Sequence, residues 1–400
     1  MSNKRLIIQN IGSPMNKIMK EFPPKKQDQV TLENWRKHPY SSWSFSNVRE
    51  LIPTSEIQND PSKIWELGTS NTQNELVTDK ELTDLSVDSV VVLQKGNIVF
   101  ETYQNNMDQN KKHILFSVSK SILGLLCGIL EKDKLLDTRA LVSKYIPEIK
   151  GTAYEDASIR NCLDMQVGIY FDEDYLATSG PIITYRYAAN WNPTPDSERQ
   201  LGLRSFLQTL KERDGDHGHK FHYVSPNTDL LGWVIERVSD DQYSNVISEK
   251  LWKPLGAEQP GYITVDRFGA PRSAGGKCFT TRDLARVGMM IYQNGYGHSQ
   301  QIVPESWIED IFNNGNNSAW DLGDMAPDFP NKNVAYRSKW YSHKGSNPMI
   351  HGIGIHGQYL FVDRVREISI SWFSSDNDPL SKERLPKVLS VVNRIRDNLT

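Results

Sequence analysis

The chain has 400 residues, a formal net charge of −3, 38% hydrophobic and 24% charged residues. That length allows one large domain or two lobes, and the balance is that of a folded globular protein. No basic surplus exists to meet nucleic-acid phosphates, and no apolar run approaches the roughly 18 residues of a membrane span.

The N-terminal "LII" is too short for a signal-peptide core. Residues 1–80 are polar, rich in Pro, Asn, Gln and Lys, and read as an N-terminal wrapping segment rather than a domain. "SVVVLQKGNIVFETY" (89–103) is a hairpin signal, two β-branched runs around Lys95-Gly96-Asn97. "FSVSKSILGLLCGIL" (116–130) reads as a buried helix. Gly124 and Gly128 within it fit close packing better than membrane pairing. "KLLDTRALVSKYIPE" (134–148) and "SIRNCLDMQVGI" (158–169) read as short helices, and residues 170–222 as loop-rich.

"SPNTDLLGWVIERVS" (225–239) reads as a helix capped by Ser225 with Pro226 at its first position. "TTRDLARVGMMIYQNG" (280–295) reads as another helix, with a Thr cap and a Gly stop. "GQYLFVD" and "REISISWFSS" read as strands. In the second, Ile368, Ile370 and Trp372 alternate with Glu367, Ser369 and Ser371, the pattern of a strand with one polar face. Residues 381–399 then read as a helix with Leu385, Val388, Leu389, Val392 and Ile395 on one side. Strands near both ends with helices between predict an α+β fold. Its antiparallel sheet lobe is made from residues 81–130 plus 271–400, and residues 131–270 form an inserted, mainly helical lobe. Cys127, Cys162 and Cys278 are widely spaced without C-x-x-C, which predicts buried, reduced thiols and a cytoplasmic location.

Three stretches carry chemistry. Ser117 and Lys120 are one helical turn apart in the chain's single Ser-x-x-Lys. A serine hydroxyl needs a group to take its proton, and a desolvated lysine can do so. "FHYVSPNTDLLG" (221–232) sets Tyr223 at a helix start, where a tyrosine can shuttle protons if a lysine holds its phenolate. In "HGIGIHGQYLFVD" (351–363), Gly354 and Gly357 allow backbone to approach a ligand. An N–H at that edge, with the N–H of Ser117, would form an oxyanion hole.

These elements, in this order, resemble the serine β-lactamase and penicillin-binding-protein superfamily, in particular its class C-like esterase and amidase branch. "LDTRALVSKYIPEIKG", "SIRNCLDMQVGI" and "GGKCFTTRDLARVG" are similar to the connectors of that family, and the resemblance covers residues 85–400. "FDEDY" (171–175) and "GIHGQ" (354–358) are most similar to its linear-oligomer amidases. The resemblance implies a β-lactamase/transpeptidase-like fold with helices flanking an antiparallel sheet. It implies Ser117 as nucleophile, Lys120 as its base and Tyr223 as proton shuttle, with Ser117 and Ile355 supplying the oxyanion hole. It further implies Tyr175 on the substrate amide, Trp340 lining the cleft, and Ser225, His356 and Gly357 beside the substrate. No metal or organic cofactor is required.

The chain departs from the family at three points. Ser225 stands at the third position of the tyrosine motif, and Ile-His-Gly replaces Lys-Thr-Gly on the later strand. After "FDEDY", where the amidases bind a free amine with an acid, this chain has Arg186 and no acid before Asp196. The expected activity is therefore hydrolysis of a small-molecule amide or ester through an acyl-enzyme, by a protein that binds neither nucleic acid nor membrane. A homodimer is left open. The alternatives are a carboxylesterase or a D-amino-acid peptidase or β-lactamase-like enzyme, and, from another class, a non-catalytic binding protein on the same fold. A metal site in "DGDHGHKFH", with Asp214, Asp216, His217, His219 and His222, is the rival chemistry. Its polar loop composition weighs against it.

Overall fold

The computed structural model describes residues 17–70, 76–329 and 333–399. The first sixteen residues of the expected wrapping segment lie outside the described residues. The strands are β1 (Thr54–Ile57), β2 (Gly68–Thr69), β3 (Val87–Gln94), β4 (Asn97–Tyr103), β5 (His113–Ile114), β6 (Gly261–Thr264), β7 (Lys277–Phe279), β8 (Val334–Arg337), β9 (Trp340–His343), β10 (Met349–Gly354), β11 (Gln358–Asp363) and β12 (Ile368–Ser374). The long helices are α1 (Val118–Lys132), α2 (Pro226–Ser239), α3 (Thr281–Tyr292), α4 (Glu305–Asn313) and α5 (Arg384–Asn398).

The main sheet has eight strands in the order β2-β4-β3-β12-β11-β10-β9-β8. Its ladders are antiparallel except β2 against β4. The β3–β4 hairpin turns at Lys95 and Gly96, with φ of 49° and 79°, the paired positive φ that suits the twist of the strands. The last strand, β12, thus sits beside β3, and the two ends of the sequence meet at the centre of the sheet.

Both faces of β12 are buried. Ile368, Ile370 and Trp372 pack with Val388, Val392 and Ile395 of α5. The other face, polar as expected, is covered by α3. Ser369 and Ser371 are 0% exposed, and Ser369 Oγ donates to the Ala285 carbonyl at 2.9 Å. A Cβ at Gly288 of α3 would stand 2.0 Å from that Oγ. The serines are therefore small spacers for a helix that must lie close, not a wet surface.

A second sheet has the order β1-β6-β7-β5. The N-terminal segment supplies β1 to it and β2 to the main sheet, and it places Trp35, Phe45, Val48 and Ile52 in the main core. Its polar composition hid this, because single large side chains spaced without period give no strand or helix signal. The stretch 170–222 also holds two short helices, Pro181–Ala188 and Leu203–Leu207. Neither has a side-chain cap, and helices this short depend on buried faces, here Ile182 and Tyr185, then Leu203 and Phe206.

The central helix α1 is buried from Val118 to Leu130. Burial of each large aliphatic residue contributes about 1.5–3 kcal/mol. Its two glycines make this possible: a Cβ at Gly124 would lie 2.0 Å from the Ser338 carbonyl oxygen, and one at Gly128 would lie 2.5 Å from the Trp307 ring. Among the described residues no helix is long and apolar enough to cross a membrane. Cys127, Cys162 and Cys278 are free and buried.

Gly124→Val is expected to destabilise the fold by about 3 kcal/mol, because the atom it meets is backbone and the core cannot give way. Urea unfolding followed by tryptophan fluorescence measures this, and a variant as stable as the parent would contradict the packing.

Candidate active site

Helix α1 begins directly after Ser117, which stands at its N-cap without using its hydroxyl as a cap. The hydroxyl is thus left for other chemistry. One turn on, Lys120 Nζ lies 2.7 Å from Ser117 Oγ and donates to the Ala274 carbonyl at 2.9 Å. Lys120 is 1% exposed. Burial pushes its amine down to about 7; Glu173 and Asp229 oppose this, while Arg272 and Lys339 add to it. Removal of an ammonium from water disfavours its charged form, so a large share of this lysine is neutral near pH 7.

Tyr223 lies just before α2, and Lys120 Nζ is 5.0 Å from its ring centroid. Burial and the Glu173 charge raise its phenol, against a hydrogen bond to Ser117 that lowers it. The phenol therefore stays protonated at neutral pH. The expected phenolate is not what this environment supports; the low-pKa partner of Ser117 is Lys120.

Ser117 and Tyr223 open into a cleft of about 440 Å³. Ile355 lines it too, at the end of β10. There β10 comes so close to the serine that a Cβ at Gly354 would stand 3.1 Å from the Ser117 nitrogen. Phe116, the residue before the serine, has φ of 41°, a conformation that costs on the order of 1–3 kcal/mol outside glycine. It is held by rings: Phe116 packs on Phe45 at 4.9 Å, His356 at 5.4 Å, Trp191 at 5.9 Å and Trp35 at 6.1 Å between centroids.

Tyr175 is in the cleft, with its hydroxyl donating to Glu173 Oε1 at 2.5 Å. Other expected contacts are elsewhere. Trp340 starts β9 and is 0% exposed in the main core, so it does not line the cleft. His356 is buried, with Nδ1 donating to the Asp376 carbonyl at 2.7 Å. Gly357 forms the β10–β11 turn with φ of 91°. Both shape the turn after Ile355 rather than face the cleft. Ser225 does not cap α2 with its side chain; its hydroxyl and N–H both donate to the Glu173 carboxylate.

Glu173 is the residue that sequence reasoning missed, although it lies inside "FDEDY". Nothing in one sequence says that this carboxylate, of three in the motif, turns inward to join Tyr175 and Ser225. Asp172, Asp174, Asp214 and Asp324 also line the cleft, and no Lys or Arg does among the described lining residues. Arg186 lies behind the wall, donating to the Tyr175 carbonyl at 2.9 Å. In the histidine-rich loop, His217 pairs with Asp156 at 3.1 Å and His222 with Asp324 at 3.0 Å. Among the described residues no three His, Cys, Asp or Glu side chains converge as a metal site would need.

Residues 79–392 match the profile of the family described as Beta-lactamase. The 6-aminohexanoate-dimer hydrolase of Paenarthrobacter ureafaciens is 32% identical over 366 residues, 90% of this chain and 91% of that protein. Among solved structures, "Putative 6-aminohexanoate-dimer hydrolase from Bacillus anthracis" superposes with a TM-score of 0.84 at 24% identity, covering 94% of this chain and 98% of that one. EstCE1, a hydrolase with promiscuous acyltransferase activity, gives 0.61 at 14% identity over 80% of this chain and 96% of its own. The two structures share the fold.

Trp340→Phe is expected to lower stability by about 1–3 kcal/mol, as truncation of a core side chain does, and to leave KM unchanged. A raised KM with unchanged stability would return Trp340 to the cleft.

Proposed function

The chain belongs to the beta-lactamase family and is a serine hydrolase, and from that premise we propose that it cleaves a linear amide through an acyl-enzyme on Ser117. The observation that carries this is the buried Lys120 amine 2.7 Å from Ser117 Oγ. In this mechanism neutral Lys120 takes the hydroxyl proton as Oγ attacks the carbonyl carbon. The N–H groups of Ser117 and Ile355 receive the developing oxyanion. Tyr223, held protonated, passes its proton to the leaving nitrogen and is reprotonated by the Lys120 ammonium; Lys120, neutral again, then takes a proton from the water that hydrolyses the ester and returns it to Ser117 Oγ.

An amide needs its nitrogen protonated before it can leave, and a phenol kept neutral by burial suits that task. Ester cleavage by the same groups follows, since an alkoxide leaves more readily. The cleft charge supports a substrate with a protonated amine: Asp172, Glu173, Asp174, Asp214 and Asp324 line it, and of these Asp324 is paired with Lys220 at 2.8 Å. Exposed Tyr170 and Leu380, with Met325 and Ile353, offer apolar surface for a short chain. An ω-amino acid oligomer, the class named for the Paenarthrobacter relative, meets both requirements, with the carboxylates of the cleft in place of an acid at position 186. Three buried free thiols support a cytoplasmic location.

Ser117→Ala is expected to lower kcat by at least about 10⁴-fold, and a phosphonate probe should label the parent at Ser117 alone; labelling retained in the variant would overturn the nucleophile. Because the neutral amine is the active form, kcat/KM should fall about tenfold per pH unit below a midpoint near 7. A flat profile from about pH 5 to 9 would contradict the base. Asp172→Asn should raise KM for an amine-bearing amide and leave KM for its acetylated analogue unchanged.

A further inference from the structure

We propose that Asp229 is a positioning residue for the Ser117–Lys120 pair: its carboxylate holds the 272–274 turn, whose Ala274 carbonyl aims the Lys120 amine at the serine. The inference rests on the reading of Lys120 as the base. Asp229 lies in the first turn of α2 and is buried. It does not line the cleft, so it acts through other groups.

Each oxygen of the carboxylate has work within the turn. Oδ1 accepts from the Ala274 N–H at 2.8 Å and from Ser273 Oγ at 3.1 Å. Oδ2 accepts from the Arg272 guanidinium and from the Tyr185 hydroxyl. Arg272 and Ala274 are thus tied to one side chain, and the Ser273 hydroxyl between them is shared with the nearer Thr228 carbonyl of α2 at 2.9 Å. The turn can come this close because α2 carries a glycine: a Cβ at Gly232 would stand 2.5 Å from Ser273 Oγ. On the far side, Lys277 Nζ donates to the carbonyls of Ser273 and Ser119, each at 3.1 Å, joining the same turn to the first turn of α1.

Ala274 is therefore gripped at its N–H by Asp229, while its carbonyl, in the next peptide unit, accepts from Lys120 at 2.9 Å. A lysine side chain has four rotatable bonds and would otherwise lose its aim. With one N–H committed to Ala274, the nitrogen stays within reach of Oγ. The charged and titratable groups facing Lys120 are Glu173, Arg272, Lys339, Asp229, Lys277 and Tyr223. Of these, Glu173 and Asp229 favour its protonated form. Loss of the Asp229 charge, and any loosening of the carbonyl that accepts from the ammonium, push the amine in the same direction, toward the neutral form at lower pH.

The test compares Asp229→Asn and Asp229→Ala with the full-length parent on an activated amide. D229N keeps an oxygen for the Ala274 N–H and loses the charge. Its rising limb of kcat/KM should move to lower pH by about 0.5–1 unit. D229A also loses the acceptor, and its plateau kcat should fall roughly ten- to a hundredfold with KM little changed. A purely structural role would lower stability without moving the limb. Wild-type midpoint and kcat in both variants would overturn the proposal. Should Arg272, left unpaired, unfold both, Ser273→Ala keeps the ion pair and removes one tie of the turn; it should lower kcat severalfold at unchanged KM, and an unchanged kcat would overturn the proposal. Lys120→Ala separates the premise from the inference. If it retains activity, the base reading fails whatever Asp229 does; if it is inactive while the other variants behave as the parent, only the positioning role fails.

Discussion

A lysine amine held dry beside a serine hydroxyl is the constraint on which the rest of this structure depends. Burial of an ammonium is costly unless the group is paired or loses its proton. Among the described residues three lysines are buried around α1, and each points its nitrogen at carbonyl oxygen. Lys120 meets Ala274, Lys277 meets Ser119 and Ser273, and Lys339 meets Cys162. Burial lowers all three, Lys120 and Lys277 to about 7 and Lys339 to about 8. Carbonyls satisfy the N–H groups without supplying the full counter-charge that would keep the amine protonated. The packing of α1 against the sheet is thus what lowers the Lys120 amine, and the glycines that let α1 approach are part of the same arrangement.

The serine is fixed from the other direction. Phe116 takes a strained backbone conformation that turns the chain from β5 into α1, and an aromatic wall holds it there. Two rings of that wall, Trp35 and Phe45, come from the N-terminal segment, ahead of the region that matches the family. His356, from the turn after Ile355, packs on the same ring. The amides of Ser117 and Ile355 are therefore braced by one cluster, although they lie more than two hundred residues apart in sequence. In the proposed mechanism, donors braced in this way would add nothing to reorganise when charge develops.

Much of this was legible beforehand, for identifiable reasons. The hairpin at Lys95-Gly96, helices α1, α2, α3 and α5, and strands β11 and β12 all have local signals, either turn residues or sustained periodicity. The small strands β1, β2, β5, β6 and β7 have two to four residues each, too short for a period to register. At Ser369 and Ser371 alternation reports which side chains are polar, not whether a helix covers them. Ser225 misled: its position suited a helix cap, and the hydroxyl went to a carboxylate fifty-two residues away.

The sequence by itself determined which chemistry was available. A serine and lysine one helical turn apart on an apolar helix can only face the same way, and a tyrosine at a second helix start adds a proton carrier. Those are consequences of local geometry, and they hold wherever the helix is placed. Only the tertiary structure decided how those groups behave. Desolvation, the distance to Glu173 and Asp229, and the repulsion from Arg272 and Lys339 are sums over residues brought together by folding, and they lower the Lys120 amine and leave Tyr223 protonated. The same sums put five carboxylates around the cleft, moved Trp340 into the core and tied Asp229 to the turn that aims the lysine. Electrostatic environment and burial are properties of neighbours in space, and no spacing along the chain encodes them.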